Sequence, residues 1–161
     1  MFIDNEELVS HIGNKKHFKF SINDLPDITW DDVFDCLSYA LNHNYEVSYK
    51  NFGLIIRECY VNQNIKKVAD EFNKLDPNLT ATAHLYVSLS NTASTHGLHN
   101  DPCDVLFWQV IGSTRFTVID RFKVYEYDLV KNDLLYIPKG FKHNTNPLSH
   151  RVGISFGLES S

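Results

Sequence analysis

Three residues of this sequence have the types and the spacing of a metal site. His99 and Asp101 are separated by one residue, and His143 follows forty-two residues after Asp101. In a β-strand, His99 and Asp101 would project from the same face, because successive side chains alternate. A second histidine from another strand would complete a triad of two imidazoles and one carboxylate. Such a triad binds Fe(II) and leaves coordination positions open for O₂ and a bidentate cosubstrate. The sequence therefore predicts an iron centre at these three residues.

The segment that carries His143 makes this prediction more specific. An HxD tripeptide alone is a weak signal, because a loop histidine beside an acidic residue is common. Residues 134–143 read LLYIPKGFKH, in which an apolar strand enters a Pro-Lys-Gly turn and His143 comes at the head of the next strand. Both segments belong to one series of predicted strands. An ordinary loop pair at His99 and Asp101, or a surface turn histidine at His143, is therefore the less favoured interpretation.

Two helices are predicted before that series of strands. The first covers residues 29–43, where Thr29 and Asp32 have the spacing of a capping box and five apolar residues recur at helical spacing. The apolar residues that we expect to face the core are Trp30, Val33, Phe34, Leu37 and Leu41. The second helix should be capped by Asn64 and closed by Pro77. Its shared apolar face is predicted to consist of Ile65, Val68, Phe72 and Leu75.

Strands dominate the rest of the sequence. YEVSY and GLIIRECY form a predicted strand pair, and from Thr80 onward apolar and polar residues alternate. This alternation gives TATAHLYVSLS an apolar face of Ala81, Ala83, Leu85, Val87 and Leu89 and a polar face of His84, Tyr86 and Ser88. DVLFWQVI is apolar on both faces and should be a covered strand. Further strands are expected at RFTVID, VYEYDL, DLLYIP and RVGISFGL. The pattern favours a β-barrel or sandwich with helices packed outside.

Composition and charge restrict the class of protein. The chain has 161 residues, 43% of them hydrophobic, which fits one globular domain. Its net charge is −5 and no run of Lys and Arg forms a basic stripe, so nucleic-acid binding is not predicted. Three cysteines without CxxC spacing favour a reducing compartment. No apolar run approaches the ~20 residues of a membrane span, and the first residues do not resemble a signal peptide. We therefore expect a soluble, cytoplasmic protein without membrane partners.

Two segments resemble the motif blocks of the JmjC/cupin-like 2-oxoglutarate oxygenases, in particular the ribosomal-oxygenase and asparaginyl-hydroxylase branch. HNDPCDVLFWQVIGSTRFTV resembles the block in which HxD is followed by DV(F/L)xxQxxG and an aromatic residue, here Phe116. DLLYIPKGFKHNTNPLSHRVGISFG resembles the GDLLYxPRGxxH block that carries the distal histidine. The resemblance covers roughly residues 80–161.

This resemblance implies a mainly-β chain with flanking helices, folded as a double-stranded β-helix of the cupin or jelly-roll type. Residues 1–161 would form a single domain, with residues 1–79 as a lead-in and residues 80–161 as the metal-binding core. By motif position, His99, Asp101 and His143 would hold Fe(II). The cosubstrates implied are 2-oxoglutarate and O₂, and the oxidising power would come from the metal rather than from the protein.

One departure from the family pattern concerns the cosubstrate. Thirteen residues after the motif aspartate, these families have a Lys or Arg that pairs with the distal carboxylate of 2-oxoglutarate, and this chain has Thr114. A hydroxyl can donate a hydrogen bond to a carboxylate, but it cannot neutralise it. Arg151, on the last predicted strand, is the replacement that we expect, because other 2-oxoglutarate oxygenases carry an Arg there and a guanidinium binds carboxylates bidentately. Tyr86 is a second candidate for cosubstrate binding, by analogy with the ribosomal-oxygenase branch.

The remaining histidines have no comparable pattern. His96 and His99 form an HxxH, but outside a helix this spacing does not direct both rings at one zinc ion. His96 is expected to support the site, to face the substrate or to be a bystander. Predicted to be solvated are His11, His17, His43, His84 and His150.

The sequence favours an Fe(II)- and 2-oxoglutarate-dependent oxygenase, in particular a hydroxylase. Its substrate would be a protein side chain or a small amino-acid-like molecule, by analogy alone, and a homodimer is kept open as an assembly. Three alternatives remain: a metal-binding cupin that does not use 2-oxoglutarate, such as a dioxygenase or isomerase; a non-catalytic cupin-like binding domain; and a barrel that binds sugars or cyclic nucleotides, which would not need the HxD.

Overall fold

The structure, a computed structural model, describes residues 6–75, 79–93 and 95–160, with the backbone alone described at residue 160. Its helices are α1 (Glu6–Asn14), α2 (Trp30–Asn42) and α3 (Gln63–Asn73). The first five strands are β1 (Phe18–Ser21), β2 (Val47–Lys50), β3 (Gly53–Ile56), β4 (Leu79–Ser88) and β5 (Asp104–Ile111). The last five are β6 (Thr114–Asp120), β7 (Lys123–Leu129), β8 (Asp133–Ile137), β9 (Lys142–Pro147) and β10 (Arg151–Ser160). None of the helices in these ranges is long and apolar enough to cross a bilayer.

The strands form two antiparallel sheets. The larger sheet has seven strands in the order β1-β8-β5-β10-β4-β3-β2, and the smaller one has three in the order β7-β6-β9. Strands β1, β2 and β3, which precede residue 79, pair with later strands in the larger sheet. The predicted barrel or sandwich with helices outside is therefore confirmed, whereas the division of one domain into a lead-in and a core stays a prediction.

Two apolar layers lie on opposite faces of the larger sheet, because side chains alternate along its strands. On β5, Leu106 and Trp108 belong to the layer shared with the helices, while Val105 and Phe107 face the smaller sheet. We call the layer between the two sheets the inner layer. It consists of Val105, Phe107, Phe116, Val118, Leu129, Leu135 and Ile137. This layer holds the two sheets together beside the predicted site.

The caps and the number of the helices differ from the predictions in two details. Helix α2 has the predicted capping box, with the Thr29 hydroxyl accepting from the Asp32 amide. Helix α1 was not predicted. Helix α3 is capped by Asn62 rather than by Asn64, because the Asn62 side chain accepts from the backbone amides of residues 64 and 65. Pro77, the predicted end of this helix, lies outside the described residues.

The buried face of α2 is rotated relative to the predicted stripe. Phe34 and Leu41 are 60% and 62% exposed, so their assignment to the core is wrong. Val33 is buried as predicted, and Trp30 and Leu37 pack partly buried against the core, but the other buried residues of the helix are Cys36 and Ala40, which the stripe did not include. Large apolar side chains at helical spacing predicted the helix correctly but not the face that it buries.

Gly153 on β10 is required by a close side-chain contact. A Cβ atom at this position would overlap the ring of Phe107, which lies across the strand. We expect Gly153→Ala to lower the free energy of unfolding by about 1–3 kcal/mol, because an overpacked interior forces side chains out of their rotamers. Urea denaturation measures this. Gly13→Ala is the matched control, since no atom of the described residues lies within 4 Å of a Cβ built there. An equal loss in both variants would contradict the contact argument.

Candidate metal centre

The backbone brings the two sequence motifs together at one point. His99 and His143 form a β-bridge in which each residue donates its amide to the other's carbonyl, at 3.0 and 2.8 Å. His143 is the second residue of β9, at the head of that strand as predicted. His99 and Asp101 lie in the segment before β5, outside any continuous strand. The expectation that the HxD tripeptide lies in a strand therefore holds only at His99, which forms a single β-bridge.

A network around Asp104 fixes the Pro-Lys-Gly turn that precedes His143. The Asp104 carboxylate accepts hydrogen bonds from the Lys139 amide at 2.8 Å, from the Tyr136 hydroxyl at 2.9 Å and from the Lys15 ammonium at 2.6 Å. Gly140 follows with a φ of +82°, which glycine adopts without strain, and its amide donates to the Asp101 carbonyl at 3.2 Å. The turn and the HxD segment are therefore tied together by backbone bonds.

The three predicted ligands converge. Suitable donor atoms of His99, Asp101 and His143 all lie within 4.8 Å of one another. Nε2 of His143 lies 3.3 Å from Oδ2 of Asp101, and Nε2 of His99 lies 3.9 Å from Oδ1. Metal–ligand bonds of roughly 2.0–2.2 Å meeting at right angles require donor atoms about 3 Å apart. Small side-chain adjustments would bring all three atoms onto one divalent ion.

Hydrogen bonds fix which nitrogen each ring offers. Nδ1 of His99 donates to the Gly97 carbonyl at 2.8 Å, and Nδ1 of His143 donates to the Phe141 carbonyl at 3.1 Å. A carbonyl can only accept, so in the neutral rings the proton is on Nδ1 and Nε2 has a free lone pair. Carbonyl-oriented imidazoles are the usual arrangement around protein-bound metals.

The carboxylate of the triad is held in its charged form. Burial alone would raise the pKa of Asp101, but the contact with His143 and the positive charges that His143, His99 and His96 have when protonated outweigh it and lower the pKa below its usual value. Asp101 is therefore a ready anionic ligand. Two imidazoles with free Nε2 atoms and one carboxylate form a donor set that suits iron with open positions.

A cavity of about 500 Å³ adjoins the triad and is lined by all three of its residues. Arg151 also lines this cavity and is 3% exposed. Its Nε donates to the Ser88 hydroxyl at 3.1 Å, and its guanidinium carbon lies 5.8 Å from the centroid of the Phe107 ring. Its Nη1 is buried and has no hydrogen-bond partner among the described residues. Burial lowers the pKa of Arg151 to about 10, although Tyr86 acts in the opposite direction.

Gln109, the glutamine of the first motif block, has a structural role. The pairing of β10 with β5 shifts register between Val152 and Gly153. The Gln109 side chain spans this irregularity, because its amide donates to the carbonyls of Ile111 and Val152 at 2.7 and 3.2 Å. Such irregularities often redirect a neighbouring side chain. Here the shift begins one residue after Arg151.

The two other predicted cosubstrate residues have different positions. Tyr86 lines the cavity, and its ring meets that of His96 edge-on with centroids 5.9 Å apart. Thr114 is fully buried and is not among the residues that line the cavity. Its hydroxyl oxygen has no hydrogen-bond partner among the described residues. The assignment of both residues to cosubstrate binding stays a prediction.

Two cavity residues were missed by sequence reasoning. His84 was predicted to be solvated, but it lines the cavity and its Nδ1 accepts from the Glu58 amide at 3.3 Å. The alternation of β4 does put His84 on the same face as Tyr86 and could have indicated this. Arg57 also lines the cavity; its sequence context, inside an apolar run, carried no signal. His96 is exposed and lies beside His99, with ring centroids 5.4 Å apart.

The two facing antiparallel sheets form a double-stranded β-helix of the cupin type. The His-Asp-His triad, where the two motif segments meet, is its candidate metal centre. Solved structures share this fold. The ribosomal oxygenase YcfD from Escherichia coli, in complex with cobalt and 2-oxoglutarate, superimposes with a TM-score of 0.78 at 18% identity, over 96% of this chain and 52% of that one. A second YcfD structure has a TM-score of 0.79 at 17% identity, over 100% and 54%.

Other comparisons are more distant or negative. The E162A mutant of Bacillus subtilis oxalate decarboxylase has a TM-score of 0.51 at 16% identity, over 86% of this chain and 29% of that one. No protein-family model matches the sequence, and no curated protein matches it. The chain spans about half the length of the YcfD structures, and the likeness shows the double-stranded β-helix fold.

Proposed function

We propose that this protein is an Fe(II)- and 2-oxoglutarate-dependent oxygenase that hydroxylates its substrate. The observation that carries the proposal is Arg151, a buried cation on the wall of the cavity that the triad also lines, whose Nη1 has no hydrogen-bond partner among the residues that the structure describes. Leaving a charged group buried without a partner is costly, so such a group indicates a ligand of opposite charge. A dicarboxylate 2-oxo acid has one end for a metal and another for a guanidinium. The cobalt and 2-oxoglutarate bound by YcfD support the same assignment by analogy.

In this proposal each residue has a defined role. Nε2 of His99, Nε2 of His143 and a carboxylate oxygen of Asp101 would hold the iron, which supplies the redox chemistry with O₂. Arg151 would orient the acid through its distal carboxylate, with Ser88 fixing the guanidinium and Phe107 excluding water beneath it. Tyr86, which lines the cavity, is proposed as a further cosubstrate contact, whereas Thr114 is not on the cavity wall. Positioning and exclusion of water are the protein's contributions to such a reaction.

The proposal predicts a visible charge-transfer band. When Fe(II) and then 2-oxoglutarate are added to the protein without oxygen, chelation of the 2-oxo acid should produce this band, and it should saturate at one equivalent of acid per iron. Glutarate, which lacks the 2-oxo group, is the matched control and should produce no band. Well-loaded iron without a band would contradict the proposal.

The second candidate is a metal-binding cupin that does not use 2-oxoglutarate. Thr114 favours it, because this residue replaces the cation of the resembling families and is not on the cavity wall. The same titration separates the candidates, since only a chelated 2-oxo acid gives the band. We further propose a protein side chain or a small amino-acid-like molecule as substrate. The three cysteines are all free, which fits the proposed cytoplasmic location.

A further inference from the structure

A second arginine lies on the cavity wall without a firm ionic partner. Nε of Arg57 is buried, has no hydrogen-bond partner in the described part of the chain, and lies 3.7 Å from Oε1 of Glu46. The side chains of Arg57 and Glu46 are 32% and 66% exposed. By contrast, Arg115 makes two hydrogen bonds to the Asp128 carboxylate, at 2.6 and 2.7 Å. The single long contact with Glu46 leaves the guanidinium of Arg57 able to bind another anion.

His84 provides a neutral hydrogen-bond donor on the same wall. Because its Nδ1 accepts from the Glu58 amide, the neutral ring carries its proton on Nε2. Burial lowers the pKa of His84 and Arg57 lowers it further, against the opposing effects of Glu58, Glu46 and Glu159. His84 therefore offers an N–H group to an acceptor without adding a charge.

The turn that carries Arg57 also positions His84, and its backbone is strained. Glu58 has a φ of +53°, a conformation that is rare for residues other than glycine, asparagine and aspartate. Backbone hydrogen bonds hold the turn on both sides, from the Arg57 amide to the Glu46 carbonyl at 3.1 Å and from the Cys59 amide to the Ala83 carbonyl at 3.2 Å. Strained turns kept in place by their surroundings are concentrated at binding sites.

The charges around the cavity favour an anionic ligand beyond the cosubstrate. Apart from histidines, the charged residues that line it are the cations Lys50, Arg57 and Arg151 and the carboxylates Asp101 and Glu159. A divalent metal on Asp101 and two neutral imidazoles would keep one positive charge. That charge and Arg151 balance a 2-oxoglutarate dianion. Lys50 and Arg57 then remain, opposed by Glu159 on the wall and by Glu46, whose contact with Arg57 is 3.7 Å long. Both carboxylates are exposed, so water screens their attraction for the two cations.

We propose that Arg57 and His84 form a second anion subsite, which binds a carboxylate of the substrate and is separate from the Arg151 site. Arg57 neutralises the carboxylate, and Nε2–H of His84 donates to one of its oxygens. The substrate is accordingly an acid, either a small carboxylic acid or an acidic side chain. Describing this acid as the substrate rests on the proposed oxygenase function; binding of the carboxylate does not.

The test uses the full chain loaded with redox-inert Zn²⁺ in the presence of 2-oxoglutarate. N-acetylglycinate and its neutral counterpart N-acetylglycinamide are titrated in turn, and ¹H–¹⁵N NMR shifts give the dissociation constants. We expect the acid to bind at least about tenfold more tightly than the amide, with shifts centred on residues 57 and 84. Arg57→Gln should weaken binding of the acid at least about tenfold, and His84→Ala should weaken it severalfold, since charged hydrogen bonds contribute on this scale.

Control variants distinguish binding at this subsite from nonspecific electrostatic attraction and from binding at the cosubstrate site. Lys50→Gln removes a positive charge from the same cavity wall and should change the dissociation constant of the acid less than about twofold. Arg151→Met, titrated without 2-oxoglutarate, should still bind the acid, so failure of the proposed cosubstrate would not conceal the subsite. The inference is overturned if the wild-type chain shows no saturable binding of the acid, if acid and amide bind equally, or if Arg57→Gln has no effect. It is also overturned if Lys50→Gln causes an equal loss.

Discussion

A His143→Ala variant is expected to lose its bound metal, and all turnover with it, while the sheets stay folded. The ring of His143 supplies one of three candidate ligand atoms, but its backbone makes both bonds of the bridge to His99, and these do not depend on the side chain. Loss of a supporting hydrogen bond around a metal already costs roughly 10–100-fold in affinity. Loss of a ligand should exceed this. Metal analysis after desalting measures the stoichiometry, and far-UV circular dichroism reports the fold.

His99→Ala should behave in the same way, because its Nε2 faces the same point. His43→Ala is the matched control, since this exposed histidine lies at the end of α2, where its Nδ1 donates to the Tyr39 carbonyl at 2.9 Å. It should keep a full equivalent of metal. Stoichiometric metal in His143→Ala or His99→Ala would show that the triad has been assigned incorrectly.

Arg151→Met is expected to weaken 2-oxoglutarate binding strongly and, at the same time, to stabilise the protein without ligand. Methionine replaces the apolar stem of the side chain but cannot pair with a carboxylate. Removing one partner of a buried, hydrogen-bonded charge pair costs about 2–5 kcal/mol, or roughly 30- to 4,000-fold in the dissociation constant. The same change removes a buried charge whose Nη1 has no partner in the described ranges of the chain, which should raise the free energy of unfolding by about 1–4 kcal/mol.

Titration of the charge-transfer band and urea denaturation measure the two effects. Thr114→Val is the control for the cosubstrate assignment, because it removes only a hydroxyl at a fully buried position. Its effect on 2-oxoglutarate affinity should stay below about tenfold, the scale of one neutral hydrogen bond. If Arg151→Met leaves the affinity for 2-oxoglutarate unchanged, Arg151 does not bind the distal carboxylate, and this part of the proposal is wrong.

The sequence was most informative where local chemistry determines structure. The capping box at Thr29, the covered strand β5 and the turn before His143 are all visible as short patterns, and each is found as predicted. The convergence of the triad could be expected because two such patterns resembled one family.

Features that depend on distant contacts could not be derived from the sequence. The exposure of Phe34 and Leu41 depends on how α2 lies against the sheet, which the helical spacing does not specify. Arg57 lines the cavity from the irregular segment after β3, in which Glu58 has a positive φ, and a positive φ at a glutamate has no sequence signature. Likewise, only the structure shows that Nη1 of Arg151 has no hydrogen-bond partner among the described residues.

The division of the cavity between two sheets has a consequence for the length of the acid that fits. His143 belongs to the three-stranded sheet and Arg151 to the seven-stranded one, so an acid that contacts both a metal on His143 and Arg151 bridges the two sheets. The inner layer, in which the rings of Phe107 and Phe116 pack with centroids 4.7 Å apart, lies between these two sheets. Its thickness would therefore help to decide how many carbon atoms can separate the two ends of an acid that contacts both residues.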